Sequence, residues 1–161
     1  MWFGVIGDYM KYESFEPNGS FFMLDENTML GKGDCLELMK NIPDGSVDMV
    51  LTDPPYGMNF VSNRRAKTYD AIVNDNSLDW IDGLASECYR IAKDNTAHYV
   101  FCSYHHMDKF KQAFERYFKV KNILTWVKNN HSTGDLKGDF APKTEFILFV
   151  QKRALFNSWK A

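Results

Sequence analysis

With 161 residues, 16% of them aromatic, and a formal net charge of −2, the chain has the length of one domain with a real core and is too rich in aromatic residues for a disordered segment. Its three cysteines, Cys35, Cys88 and Cys102, are odd in number and lack paired spacing, which argues against a disulfide framework and for a reducing cytoplasm. No apolar run approaches transmembrane length, and Met1 to Met10 carry an acid but no basic residue, so the sequence reads as having neither a membrane span nor a secretory signal.

The charge is unevenly spread. Residues 1–56 hold 3 Lys+Arg against 10 Asp+Glu, net −7, and residues 57–161 hold 16 against 11, net +5. A basic second part suits nucleic acid, although a solvated basic face has the same composition.

In chain order, residues 1–24 are aromatic and irregular, with a turn at Pro17-Asn18-Gly19 before the apolar Phe21 to Leu24. They read as an extension, an added strand or hairpin covering an edge. Met29 to Gly33 reads as a strand end, and Leu36, Leu38 and Met39 as a short helix stopped by Pro43-Asp44-Gly45. Asp34 stands at the N-cap position of that helix. Val47, Met49, Val50 and Leu51 form a short buried strand that Pro54 and Pro55 must end, since proline has no N–H for a ladder. Asp53 is thereby delivered to a strand's C-terminal end, where open α/β sheets hold ligands.

Asp53-Pro54-Pro55-Tyr56 sets a carboxylate, a stiff backbone with free carbonyls and an aromatic plate side by side. The exocyclic amine of adenine or cytosine is a poor nucleophile because its lone pair is delocalised into the ring. The Asp53 carboxylate and the Pro54 carbonyl are two acceptors for the two amine hydrogens, and Tyr56 is a plate for a base swung out of a duplex. The stretches Gly33 to Leu38, Ile42 to Asp48 and Asp48 to Tyr56 together resemble the opening of the DNA amino-methyltransferases, in their permuted class with the catalytic half first. A plain Pro-Pro turn with a solvent-facing Asp is the alternative for the four residues alone.

The resemblance implies S-adenosylmethionine as cofactor and double-stranded DNA as partner, in the setting of restriction-modification or a phage. The Asp form of the motif resembles adenine methylation more than cytosine methylation. The resemblance also places the cofactor's adenine at Asp34 and Cys35, the acid accepting from its amino group, and brings Asp53 close to the cofactor.

After the motif, residues 57–76 are polar and carry Asn59, Arg64, Arg65 and Lys67. A loop of this length in a compact domain is usually functional, and the expectation is that it closes over DNA with Arg64 and Arg65 on phosphates. Ser77 is the expected N-cap of a helix to about Lys93, with Leu78, Ile81, Leu84, Cys88 and Ile91 on one face. Ala97 to Cys102 reads as a strand, and Met107 to Phe118 as a second amphipathic helix whose aromatic stripe is core. Cys102, His105 and His106 offer metal-ligand types, but no second cluster completes a tetrahedral site, so no metal is expected. Ile123 to Val127 and Glu145 to Gln151 read as strands flanking a polar loop, 128–142, in which Lys128 and Lys137 are candidate DNA contacts. Trp126 to Lys128 resembles a Trp-x-Lys piece of the family.

The expected fold is therefore α/β: a partial Rossmann-like sheet of the S-adenosylmethionine-dependent methyltransferase type, with flanking helices and a terminal antiparallel strand pair. It is read as a single domain over 1–161, with an extension at 1–24, the catalytic portion at 25–152 and a tail at 153–161. The family's Gly-rich donor loop has no counterpart: Phe3-Gly4-Val5-Ile6-Gly7 has the wrong spacing, and Gly31-Lys32-Gly33 lacks the preceding Asp-Pro-Phe. The family sheet would place the missing strands between Met29–Gly33 and Val47–Thr52, so a bare apolar strand edge is expected. Three readings follow: a catalytic half completed by a second chain or a homodimer partner; a truncated, catalytically incomplete relative from a phage or mobile element that binds DNA or a partner; and a protein-glutamine or RNA methyltransferase. Asp rather than Asn at residue 53 speaks against the third.

Overall fold

The computed structural model describes residues 2–6, 21–58, 75–129 and 141–153. Its elements are β1 (Trp2–Ile6), β2 (Phe21–Asp25), β3 (Thr28–Gly31), α1 (Cys35–Met39), β4 (Met49–Asp53), α2 (Ile81–Ile91), β5 (Ala97–Cys102), α3 (Met107–Glu115), β6 (Lys119–Val127) and β7 (Thr144–Gln151). Five strands form one sheet in the order β1-β4-β5-β7-β6. Among the described strands, β4 and β5 are the neighbours that pair in parallel; β7 lies antiparallel to both β5 and β6, which makes the expected terminal antiparallel pair.

The strand pattern explains which face is covered. Val50, Thr52, His98, Val100, Cys102, Leu148 and Val150 alternate along β4, β5 and β7 and are all buried. They share a core with Leu84, Ala85, Cys88 and Ile91 of α2 and Phe110, Ala113 and Phe114 of α3. On both helices these residues recur at helical spacing, so one stripe of each meets the sheet. The intervening residues Leu51, Tyr99, Phe101, Ile147, Phe149 and Leu124 pair with one another across the other face, and the Trp126 ring meets Phe101 there. That face stays open, with Leu51 44% and Trp126 50% exposed. Among the described residues the helices pack on one side of this sheet.

Four expectations change. The Met29–Gly33 strand is β3, and it pairs with β2 in a separate two-stranded sheet; the Asp25 carboxylate accepts from the Asn27 N–H at 2.8 Å and closes that hairpin. The expected bare edge of β4 is filled by β1, antiparallel from Trp2↔Asp53 to Ile6↔Met49, so backbone pairing already satisfies that edge. Ser77 does not cap α2: the N-cap is Trp80, and the Ser77 hydroxyl accepts from the Asp79 N–H at 3.0 Å in a turn one step earlier. Finally, β6 begins at Lys119 rather than Ile123, because a bulge at Val120/Asn122 lets the strand keep its pairing with β7.

Buried His98 does the work of a backbone group. Its Nδ1 accepts the Val50 N–H at 3.0 Å, just before the parallel ladder at Leu51↔Tyr99. Nε2 then carries the proton and donates to the Thr96 hydroxyl at 3.0 Å.

Candidate active site

Because β5 runs parallel to β4 and β7 antiparallel to β5, one end of the sheet gathers the C-terminal ends of β4, β5 and β6 and the start of β7. Asp53 stands there, exposed, as the last residue of β4. Pro54 is buried beneath it and stops the ladder. The chain turns back through Gly57, whose φ of +72° lies in the left-handed region that favours glycine.

The turn brings Tyr56 onto Asp53: the phenol donates to Asp53 Oδ1 at 2.6 Å. The Tyr56 ring lies edge-on to Phe110 of α3, 6.5 Å between centroids, and Phe110 in turn meets Trp80 at 6.3 Å. Burial above all, then the bond to Asp53 and the negative charges of Asp53 and Glu145, push the Tyr56 phenol well above its ordinary range. Tyr56 is therefore a neutral donor and an aromatic wall, not a base.

Neighbouring elements complete the rim. Ser103, Tyr104 and His105 follow β5; Tyr104 is exposed and stacks on His105 at 3.8 Å. At the β6–β7 end, Lys128 pairs with Glu145 and sits 5.8 Å from the Trp126 ring centroid. Beside Gly57 a shallow cavity of about 350 Å³ is lined by Asn76, Leu78, Ile81, His106 and Lys109, among others. Asp75 reaches the same turn, its carboxylate accepting the N–H groups of Gly57 and Met58.

The four motif residues Asp53, Pro54, Pro55 and Tyr56 thus stand together at the sheet's ligand end. Asp34 is the N-cap of α1, its carboxylate accepting the Leu36 N–H at 2.9 Å. Cys35 packs its side chain against the core, and burial raises its thiol pKa, so what Cys35 offers a ligand is backbone. Lys128 is already committed to Glu145, and a phosphate would have to compete for it. Cys102 is buried, and His106 lies at the start of α3. Asn59, Arg64, Arg65 and Lys137 lie outside the described residues. The sequence reading missed Asp75, Lys109 and Glu145 and weighed His106 only as a metal ligand; the Trp-x-Lys resemblance lay near Glu145, since it ends on that residue's partner.

The N6/N4 DNA methylase family model matches residues 47–160. The type II methyltransferase M2.MboI of Moraxella bovis is 27% identical over 148 residues, 81% of this chain and 52% of that protein. The DNA adenine methyltransferase YhdJ of Escherichia coli is 29% identical over 126 residues, 76% of this chain and 40% of that protein. The crystal structure of the M1.HpyAVI–SAM complex superposes with a TM-score of 0.52 at 25% identity, covering 80% of this chain and 58% of that one. The chain spans about half the length of such relatives. With the Asp53–Tyr56 motif inside the matched span and at the ligand end of the sheet, the chain belongs to the N6/N4 family of DNA methylases.

Proposed function

We propose that this chain is the base-accepting half of an S-adenosylmethionine-dependent DNA methyltransferase that acts on the exocyclic amine of a flipped-out adenine. The observation that carries the reading is Asp53, held by Tyr56 at 2.6 Å at the open end of β4. The carboxylate and the Pro54 carbonyl accept the two amine hydrogens and draw the lone pair out of conjugation. The Tyr56 ring, backed by Phe110, offers its plate to the extruded base. The phenol that now occupies Asp53 Oδ1 gives way as the amine arrives. Much of the rate would come from alignment and fixed dipoles, for which effective molarity contributes about 7–11 kcal/mol. A strong general base is not required, because the methylated nitrogen is acidic and sheds its proton readily.

The fit to the cofactor is partial. Asp34, at the head of α1, is the residue that would meet its adenine, as an acceptor with one oxygen already bonded to Leu36. Among the described residues no Gly-rich turn follows a strand beside β4, and that edge is occupied by β1. When bound, S-adenosylmethionine supplies the electrophilic methyl group; its cradle belongs to the family's remaining half, on this polypeptide or on a second chain.

DNA contacts are assigned to Asn59, Arg64, Arg65, Lys128 and Lys137, in the part of the chain with net +5. Adenine rather than the cytosine N4 amine rests on the Asp form of the motif and on likeness to a DNA adenine methyltransferase. A second reading, a catalytically incomplete relative that binds DNA or a partner, draws on β1 filling the β4 edge. The deciding test is radiolabelled methyl transfer to unmethylated DNA by the chain together with a donor-half polypeptide. Asp53→Ala should abolish transfer and leave folding and most DNA binding in place. Equal activity in the variant would sink the mechanism.

A further inference from the structure

We infer that Asp75 is a positioning residue for the acceptor turn: its carboxylate holds the backbone just after Tyr56 and so sets where the Tyr56 ring and the Asp53 carboxylate stand. The consequence for base capture rests on the proposed function, while the clamp itself rests on geometry alone.

Asp75 is only 4% exposed, and it is the one carboxylate among the described residues that is buried. Its Oδ1 accepts from Gly57 N–H at 2.9 Å and from Met58 N–H at 3.2 Å. Two successive amides converging on one charged oxygen form a stronger and more directional anchor than a neutral side chain would give. On an open turn, water would serve those amides equally well. Taking a carboxylate out of water for them makes sense where the turn must hold one conformation.

The surrounding contacts leave the turn little freedom. Gly57 has φ +72°, and a Cβ there would stand 2.9 Å from Leu78 Cγ. On the other side, the Tyr56 phenol is bonded to Asp53 and its ring rests on Phe110. Asp75 therefore grips the exit of the turn while Asp53 and Phe110 fix its entry. It reaches across 17 to 18 residues of sequence, so no local propensity would supply the same restraint.

The test uses the full chain with Asp75→Ala and Asp75→Asn, the latter keeping a side-chain carbonyl in place of Oδ1. Backbone amide hydrogen exchange by NMR is read first. In Asp75→Ala the Gly57 and Met58 amides should exchange roughly tenfold to hundredfold faster, with α2 and β5 amides unchanged, and Asp75→Asn should restore most of the protection. Unchanged amides in Asp75→Ala, or an Asn variant as open as the Ala variant, would overturn the clamp. Should Asp75→Ala fail to fold, Gly57→Ala perturbs the same turn from the Leu78 side. It should open the same two amides, and failure to do so would overturn the assignment.

The second readout is the preference for a duplex containing a mismatched adenine over its matched counterpart, measured by fluorescence anisotropy without cofactor. A protein that captures an extruded base favours the mismatch, where extrusion is easier. Asp75→Ala should lose that preference and keep salt-dependent binding to matched DNA; an undiminished preference would overturn the positioning role. A parent chain with no preference would instead count against base capture by this site, and the exchange data would still decide the clamp.

Discussion

At the scale of single residues, the structure assigns work to groups whose type alone is ambiguous. A histidine within a strand reads as an ordinary core residue, yet His98, 1% exposed, takes the place of a carbonyl by accepting the Val50 N–H. Protonating Nδ1 would set two N–H groups against each other. Burial, and then the charge of Lys152, hold its pKa down at about 4 against an ordinary 6.5. The unfolded chain binds the proton near pH 6.5 and the folded chain only near pH 4. Its contribution to stability is thus complete above the higher value and is lost as the pH falls toward the lower one. The loss should amount to about 2 kcal/mol, read as a fall in urea-unfolding free energy between about pH 7 and about pH 4.5. His98→Gln should flatten that slope. A parent protein equally stable across the window would contradict the neutral-acceptor role. Tyr56 shows the same dependence on surroundings: its spacing in the motif suggests a free stacking plate, but here its phenol is engaged with Asp53.

At the scale of elements, α3 has a function that its amphipathic pattern does not reveal. Its stripe was legible as core, and Phe110, Ala113 and Phe114 are indeed buried. Only in the folded chain does Phe110 stand between Tyr56 and Trp80, joining the helix interior to the acceptor turn. Phe110→Ala should cost about 3–5 kcal/mol of stability, measured by chemical denaturation, since it leaves a large cavity beneath α3. A loss below about 1 kcal/mol would mean that the site collapses around the gap. Strand assignments were legible where an apolar run ended in a strong stop, as at Pro54, and less so at helix starts. Ser77 looked like a cap because hydroxyl residues favour both caps and turns. The turn to Asp79 claimed its hydroxyl, and the helix began at Ile81.

At the scale of the whole molecule, the sheet carries helices on one face and an open apolar row from Leu51 to Trp126 on the other, among the described residues. Sheets with parallel strands are ordinarily covered on both faces, and the chain spans about half the length of its relatives. Both facts bear on the donor site. Calorimetric titration of S-adenosylmethionine into the purified 161-residue chain should show little or no binding, since the proposed cofactor contacts among the described residues are limited to Asp34, Cys35 and Asp53. Clear micromolar binding would mean that this chain builds the cradle without a Gly-rich loop.

The family, the α/β class, the Asp53–Tyr56 motif and the terminal antiparallel pair were determined by the sequence alone. Each depends on local chemistry: proline ending a strand, alternating apolar residues, a short motif in its strand context. Tertiary structure decided the rest. Residues distant in sequence met there, Asp75 with Gly57, His98 with Val50 and Lys128 with Glu145. It also assigned β3 to a hairpin apart from the main sheet and β1 to the edge of β4. Which strand pairs with which, and which buried acceptor serves which amide, follows from the packed chain as a whole, because a strand's apolar pattern is the same whichever neighbour it finds.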